Sequence, residues 1–347
     1  MVEIALRAQP ETGRAATRVP TGVVVIVLAV LNVLLCLVSL AVGSQSLTLE
    51  ELVSAFVPGE RTVASIIVWQ LRMPRTVLAA MVGAALAVAG VVMQGLTRNP
   101  LAEPGILGVN AGASLSVVLS MSLLGLTDVG EFLWFAFAGA VLAAFLVHLI
   151  SVRSADAGPA RLVLAGVALG ASLRSITGTV TMYDSVTFDS YRFWVLGSLV
   201  DRDAELLVWV APFLVVGLVL ALASGLTLNA LALGEEQAQA LGVSPRRARA
   251  LALTSITLLC GASTAAVGPI SFVGLVVPHV LRLALGADQR KLLVVSVVAG
   301  PVLLLAADIL GRVILDSGEM EAGVVTAFIG GPVLLLMVIQ RMGVRGR

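Results

Sequence analysis

Between Arg75 and Arg98 the chain runs for 22 residues, Thr76–Thr97, without a charge. About 20 apolar residues cover the roughly 30 Å of a bilayer's hydrocarbon core. Lipid offers the backbone no hydrogen-bond partners, so a span of this kind has to be helical. A polar turn, Arg98-Asn99-Pro100, and a Pro104-Gly105 break follow before the next apolar run begins. Two spans with almost no linker, the first carrying Ala79, Gly83 and Ala87 on one helical face, describe a packed core rather than a simple anchor. The rest of the chain agrees: 59% of its 347 residues are hydrophobic and 12% are charged, far from soluble globular composition. The expected fold class is an all-α polytopic membrane protein.

Apolar blocks between charges and Pro/Gly breaks predict ten spans, near 21–43, 74–95, 105–125, 131–151, 161–182, 205–227, 247–267, 274–286, 291–314 and 323–341. The eighth is short after Gly268-Pro269 and reads either as half re-entrant or, as the charge bias favours, as crossing. With both termini cytoplasmic, inner segments collect 15 basic residues and outer segments 6, and Arg174 stays inside a span, as the positive-inside rule expects. Trp69, Trp134, Trp194, Trp209, Tyr183 and Tyr191 all fall near expected outer ends, where amphipathic rings sit best. Arg7, Arg14 and Arg18 precede a charge-free run, Val19–Leu49, that is too long for a signal-peptide core, so it reads as an uncleaved first span. The organisation is a cytoplasmic tail, 1–20, and one membrane domain, 21–342, without an internal repeat.

Several chemistries are excluded. No basic run interleaved with aromatics supports a nucleic-acid partner. Cys36 and Cys260 lie in apolar spans and build neither a disulfide framework nor a metal site. Lys291 is the only lysine and Leu292 follows it, so no Gly-Lys-Ser/Thr phosphate loop exists. Any ATP chemistry has to come from another polypeptide. His279, beside Pro278 with no second ligand nearby, favours a structural or gating role over a metal site.

On the fifth span Gly166, Gly170 and Gly178 share a face with Arg174. Close packing explains the glycines, but a guanidinium at membrane depth needs a partner or a wet cavity. Two readings stand: pairing with Asp308, or lining a pathway for an anionic substrate. Asp308 and Arg312 are four apart and can pair on one helix face. Between the sixth and seventh spans, Glu235 and Glu236 suit a helix N-terminus and Gly242 suits its C-terminal cap. Arg246, Arg247 and Arg249 follow at once and pin that short helix to the cytoplasmic surface, where it is an ordinary loop ornament or a docking element for an ATPase. Gly268–His279 interrupts the helical pattern twice, as segments bordering transport routes do.

Four blocks carry a resemblance that covers about residues 22–341: Leu71–Ser114; Phe193–Ser198; Leu233–Val243 running on to Val267–His279; and Ala307-Asp308 with Gly323–Pro332. The chain resembles the permease family of the iron(III)-siderophore, haem and cobalamin importers. The resemblance implies a cobalamin-permease-like, type II ABC importer fold in a bacterial cytoplasmic membrane. Its implied partners are a second permease subunit, two cytoplasmic ATPases that bind ATP and Mg, and an extracytoplasmic binding protein, with a ferric siderophore as cargo. It also implies residue roles. Segment 234–243, with Glu235, Glu236, Leu241 and Gly242, matches the coupling helix; Arg72, Arg75 and Arg312 match outward arginines that receive the binding protein's glutamates. Asn99 and Leu101 match the cytoplasmic gate, and the span with Gly170, Arg174 and Gly178 matches the pathway lining. Arg174 departs from the cobalamin permease, where a small polar residue is expected, and so favours an anionic chelate over cobalamin; import of haem or cobalamin is the alternative within the family. An ion-coupled secondary transporter would need intramembrane acids, and Asp308 is the only one visible in a span.

Overall fold

Small residues decide which helix occupies the centre. The structure, a computed structural model, describes residues 20–43, 47–57, 62–152, 159–315 and 318–345. Its elements are α1 (Thr21–Ala41), α2 (Leu49–Ser54), α3 (Val63–Ile66), a π-helical stretch Ile67–Arg72, α4 (Met73–Thr97), a 3-10 turn Pro104–Leu107, α5 (Val109–Leu124), α6 (Val129–Val152) and α7 (Pro159–Tyr183). There follow α8 (Ser185–Val195), α9 (Ala204–Ala223), α10 (Gly225–Ala232), α11 (Glu235–Ala240), α12 (Pro245–Val267), α13 (Val273–Leu285), α14 (Gln289–Val313) and α15 (Ala322–Arg345). The expected cytoplasmic tail, apart from Pro20, lies outside the described residues, as do Arg61, Arg153 and Arg347 of the charge count.

Among the described residues each expected span overlaps an apolar helix. Eight are long and apolar enough to cross a membrane, and α5 and α13 are the two shorter apolar helices. At 1.5 Å per residue the 13 residues of α13 reach about 20 Å, too short for the hydrocarbon core. It starts inside the bundle, after the break at Gly268. Apolar periodicity did not announce the shorter pieces. Thr48 and Glu51 form a capping box at α2, Asp184 caps α8 through the Thr187 amide, and the expected sixth span breaks at Ser224 into α9 and α10.

Helix α4 is the most enclosed of the long helices, and α1 and α7 are the most open. Its small face explains why. A Cβ on Gly83 would meet the Gly300 carbonyl of α14 at 2.7 Å, and Ala87 borders the same crossing. One turn further, a Cβ on Gly90 would fall on the Gly274 carbonyl of α13. Gly112 of α5 and Gly139 of α6 approach each other in the same way, so the small-residue stripes are close backbone crossings. Replacing Gly90 by Val should therefore cost about 3 kcal/mol, because the obstruction is backbone and no rotamer relieves it. Thermal stability in detergent measures this; a variant as stable as the parent would refute the crossing.

A second junction joins three elements. Gly197 and Gly268, both with positive φ (+76° and +78°), lie against each other where α8 meets the end of α12. Ser198 donates to the Val267 carbonyl at 2.8 Å, and Gly323 at the start of α15 donates to the Gly197 carbonyl at 2.9 Å. Left-handed backbone of this kind favours glycine, which accounts for the Gly in Leu196-Gly197-Ser198 and in Gly268-Pro269.

Candidate functional site

Of the three arginines that match outward docking residues, Arg72 and Arg312 are buried rather than exposed, Arg75 is partly buried, and all three are engaged within the chain. Arg72 and Arg312 are only 6% and 5% exposed. Arg72 donates to the carbonyls of Leu40 (2.7 Å) and Ala41 (2.8 Å); Arg312 donates to those of Ser39 (2.7 Å) and Val42 (3.1 Å). These are the last carbonyls of α1, which have no intrahelical donors, and cations suit a helix C-terminus. Two arginines from elsewhere in the chain thus cap α1.

Asp308 holds the cluster together. It pairs with Arg312 one turn along α14, as the spacing predicted, and also receives Arg75 Nε at 3.0 Å and Nη2 at 2.7 Å. The remaining Arg75 nitrogen, Nη1, donates to Glu319 at 2.6 Å. Asp308 is therefore saturated by Arg75 and Arg312, and it does not pair with Arg174. The arginines border a cleft of about 590 Å³ whose other wall is the loop Val200–Asp203. There Arg202 was not anticipated from the sequence. Burial pushes its guanidinium down to about 10, against the opposing pull of Asp201 and Asp128. Of the three expected docking arginines, Arg75 retains a cleft-facing partner that can exchange, the partly exposed Glu319.

At the opposite end, α11 has the geometry expected of it. Glu235 and Glu236 occupy its first turn. Gly242, φ +79°, closes it: the Gly242 amide donates to Gln239 and the Val243 amide to Ala238, both at 2.9 Å. That pair of bonds is a Schellman cap. Ala238 is buried against Ala230, Leu231 and Ala248, whereas Leu241 is 65% exposed. Glu235 pairs with Arg249 of α12 and, at 3.7 Å, with Arg98 in the turn after α4. The expected coupling helix is thus tied to the expected gate, which the sequence did not indicate.

In that gate the Asn99 side chain accepts the Leu101 amide at 3.1 Å and shapes the turn. Leu101 packs in an apolar cluster with Leu275 and Val276 of α13 and Met337 of α15. Two residues on, Glu103 accepts the Phe272 amide at 2.7 Å. It lies beside Leu86, halfway along α4, so a second acid, carried on a loop and not in a span, is enclosed by the bundle. The fold carries Glu103 inward on a loop, where apolar-run reading has no signal for it.

On α7 Gly166 meets the Ile106 carbonyl and Gly170 is buried beside Ala111, while Gly178 faces open space. Arg174 is exposed and its guanidinium folds back over Gly170, 3.4 Å from where a Cβ would stand. Ser172, Ser175 and Thr179 are exposed around it. Among the described residues Arg174 makes no ion pair. A polar stripe of this kind on an otherwise apolar helix faces water or protein rather than lipid. It lies on a different helix from the outer cluster and from the gate.

Comparison with known proteins decides the family. The model of the FecCD transport family matches residues 30–340. The chain belongs to the FecCD transport family. It is 44% identical over 316 residues to the ferric enterobactin transport system permease protein FepD of Escherichia coli, covering 90% of this chain and 94% of that one. It is 42% identical over 278 residues to the vitamin B12 import system permease protein BtuC of Vibrio cholerae, covering 79% and 83%. A solved structure described as an inward-facing metal-chelate type ABC transporter superposes with a TM-score of 0.81 at 28% identity, covering 92% of this chain and 99% of its own. This FecCD chain is accordingly the permease of an ABC importer, a multi-pass protein of the cytoplasmic membrane.

Proposed function

We propose that this permease imports a ferric siderophore, powered by separate ATPase subunits that bind ATP and Mg and fed by an extracytoplasmic binding protein, with a second permease subunit completing the pathway. The observation that carries the cargo reading is Arg174: an exposed cation at mid-helix, among hydroxyls, without an acidic partner among the described residues. Ferric complexes of deprotonated catecholates or hydroxycarboxylates carry net negative charge, and a guanidinium on the pathway attracts them without holding them tightly. Gly170 and Gly178 leave width for a bulky chelate. The likeness to a ferric enterobactin permease supports the same cargo class.

On the outer face Arg75 is the residue we assign to docking, with Arg72 and Arg312 holding the α1 terminus beneath it. Exposed Leu241, with Glu236, is assigned to the ATPase contact, and Asn99 and Leu101 to the gate. The second reading, haem or cobalamin import, is favoured by the 42% identity to a vitamin B12 permease.

Reconstitution tests both readings. In proteoliposomes with its ATPase and binding protein, the complex should accumulate labelled ferric siderophore only when ATP is present. Uptake by the permease alone under an ion gradient would overturn the importer reading. Arg174→Ala should slow uptake of an anionic ferric catecholate about tenfold, roughly 1.4 kcal/mol of lost charge-assisted attraction, and leave cobalamin uptake unchanged. Equal effects on both would remove Arg174 from cargo selection.

A further inference from the structure

Helix α13 begins at an unusual point. Its N-cap, Phe272, is not glycine, yet its φ is +70°. Left-handed backbone is unfavourable for a bulky aromatic and persists only when the surroundings impose it. Two neighbours do so. The Phe272 ring lies directly over Gly330 of α15, where any side chain would collide with it. The Phe272 amide points at Oε1 of Glu103, 2.7 Å away. An amide buried there without an acceptor would carry the full desolvation penalty.

Glu103 is also the last residue of the loop that carries Asn99 and Leu101. Leu101 and Phe272 belong to one apolar cluster. The next turn of α13 is clasped by α4, where Gly90 abuts Gly274 and Gln94 Nε2 donates to the Gly274 carbonyl at 3.3 Å. Beside the carboxylate lies a void of about 10 Å³, walled by Asn110, Cys260 and Leu86. Partly burying a carboxylate here is costly, and the amide it accepts from belongs to the break between α12 and α13. No role assigned to the outer cleft, to α11 or to Arg174 uses it.

We propose that Glu103 is a positioning residue for the cytoplasmic gate: its carboxylate fastens the Asn99–Leu101 loop to the first turn of α13, so that loop and helix start move as one piece. What the contact requires is an acceptor oxygen of the right reach, and glutamine supplies one whereas alanine does not. The transport readout rests on the importer reading above; a second readout does not. Cys260 is enclosed, 2% exposed, and Cys36 is the only other cysteine. In a Cys36→Ser background, N-ethylmaleimide alkylation of Cys260 reports local opening at the Glu103 void.

The experiment compares Glu103→Ala and Glu103→Gln in the assembled transporter in proteoliposomes. Glu103→Ala should lower ATP-driven uptake about tenfold and raise the Cys260 alkylation rate about tenfold, as loss of one partly buried, charge-assisted hydrogen bond near 1.4 kcal/mol predicts. Glu103→Gln should keep both within about twofold of the parent. The proposal is overturned by unchanged alkylation or uptake in Glu103→Ala, or by a folded Glu103→Gln that fails as badly as alanine. If Glu103→Ala does not assemble, Glu103→Gln alone decides: near-parent uptake and alkylation support the acceptor role, and loss of either refutes it. Absence of ATP-driven uptake in the parent would instead overturn the importer reading, and alkylation would still judge the contact.

Discussion

Asp308→Ala should destabilise the protein by about 3–5 kcal/mol, the largest loss expected from any single polar substitution in this chain. Asp308 is 1% exposed and is shared by Arg75 and Arg312, whose side chains are 11% and 1% exposed. Removing the carboxylate leaves two guanidinium groups facing each other in a poorly solvated site. Arg75 keeps Glu319, and Arg312 keeps only the α1 carbonyls and the Ser39 hydroxyl. The damage should therefore spread to α1, whose last turn depends on those arginines. Thermal unfolding followed by the monodisperse fraction in detergent measures it. Adding Arg312→Ala to Asp308→Ala should recover part of the loss, because one uncompensated charge leaves with it. A single variant that melts with the parent would show that the cluster is not held by Asp308.

Leu241→Asp should leave the fold intact and disconnect the permease from its ATPase. Leu241 is exposed at the C-cap of α11, and Ala238 rather than Leu241 anchors that helix to the bundle. A substitution there therefore acts on a partner and not on the core. An exposed apolar side chain at the centre of a small contact contributes about 2 kcal/mol or more when it is a hot spot, roughly 30-fold in affinity. Co-purification with the ATPase should fall accordingly, and uptake with it, while thermal stability of the isolated permease stays the same. Glu235→Ala should behave differently: Glu235 faces Arg249 and Arg98 inside the chain, so its loss loosens the link from α11 to the gate without removing the contact surface. Retained co-purification and retained uptake in Leu241→Asp would dismiss α11 as the coupling element.

The outer arginines show how local reading and tertiary structure divide. The run of charges around α4 makes Arg72 and Arg75 look like surface groups, because nothing nearby in sequence can neutralise them. Their partners are remote: Asp308 lies 233 residues from Arg75, and the α1 carbonyls are some 30 residues before Arg72. Arg174 presents the reverse case. The sequence left Asp308 available to it, and the bundle gives Asp308 to other arginines, which leaves Arg174 exposed on an open helix.

The positions of the apolar helices were determined by the sequence alone, because lipid forces every backbone group in a span into a local helical bond, and the requirement is written in runs of apolar residues. So were the Asp308–Arg312 pair and the ends of α11, since both depend on residues within a turn or two of each other. Tertiary structure alone decided which small-residue stripes became crossings, which acid meets which arginine, and that Glu103 sits at the start of α13. Those outcomes depend on groups hundreds of residues apart sharing a few ångströms of poorly solvated space, and no local periodicity carries that information.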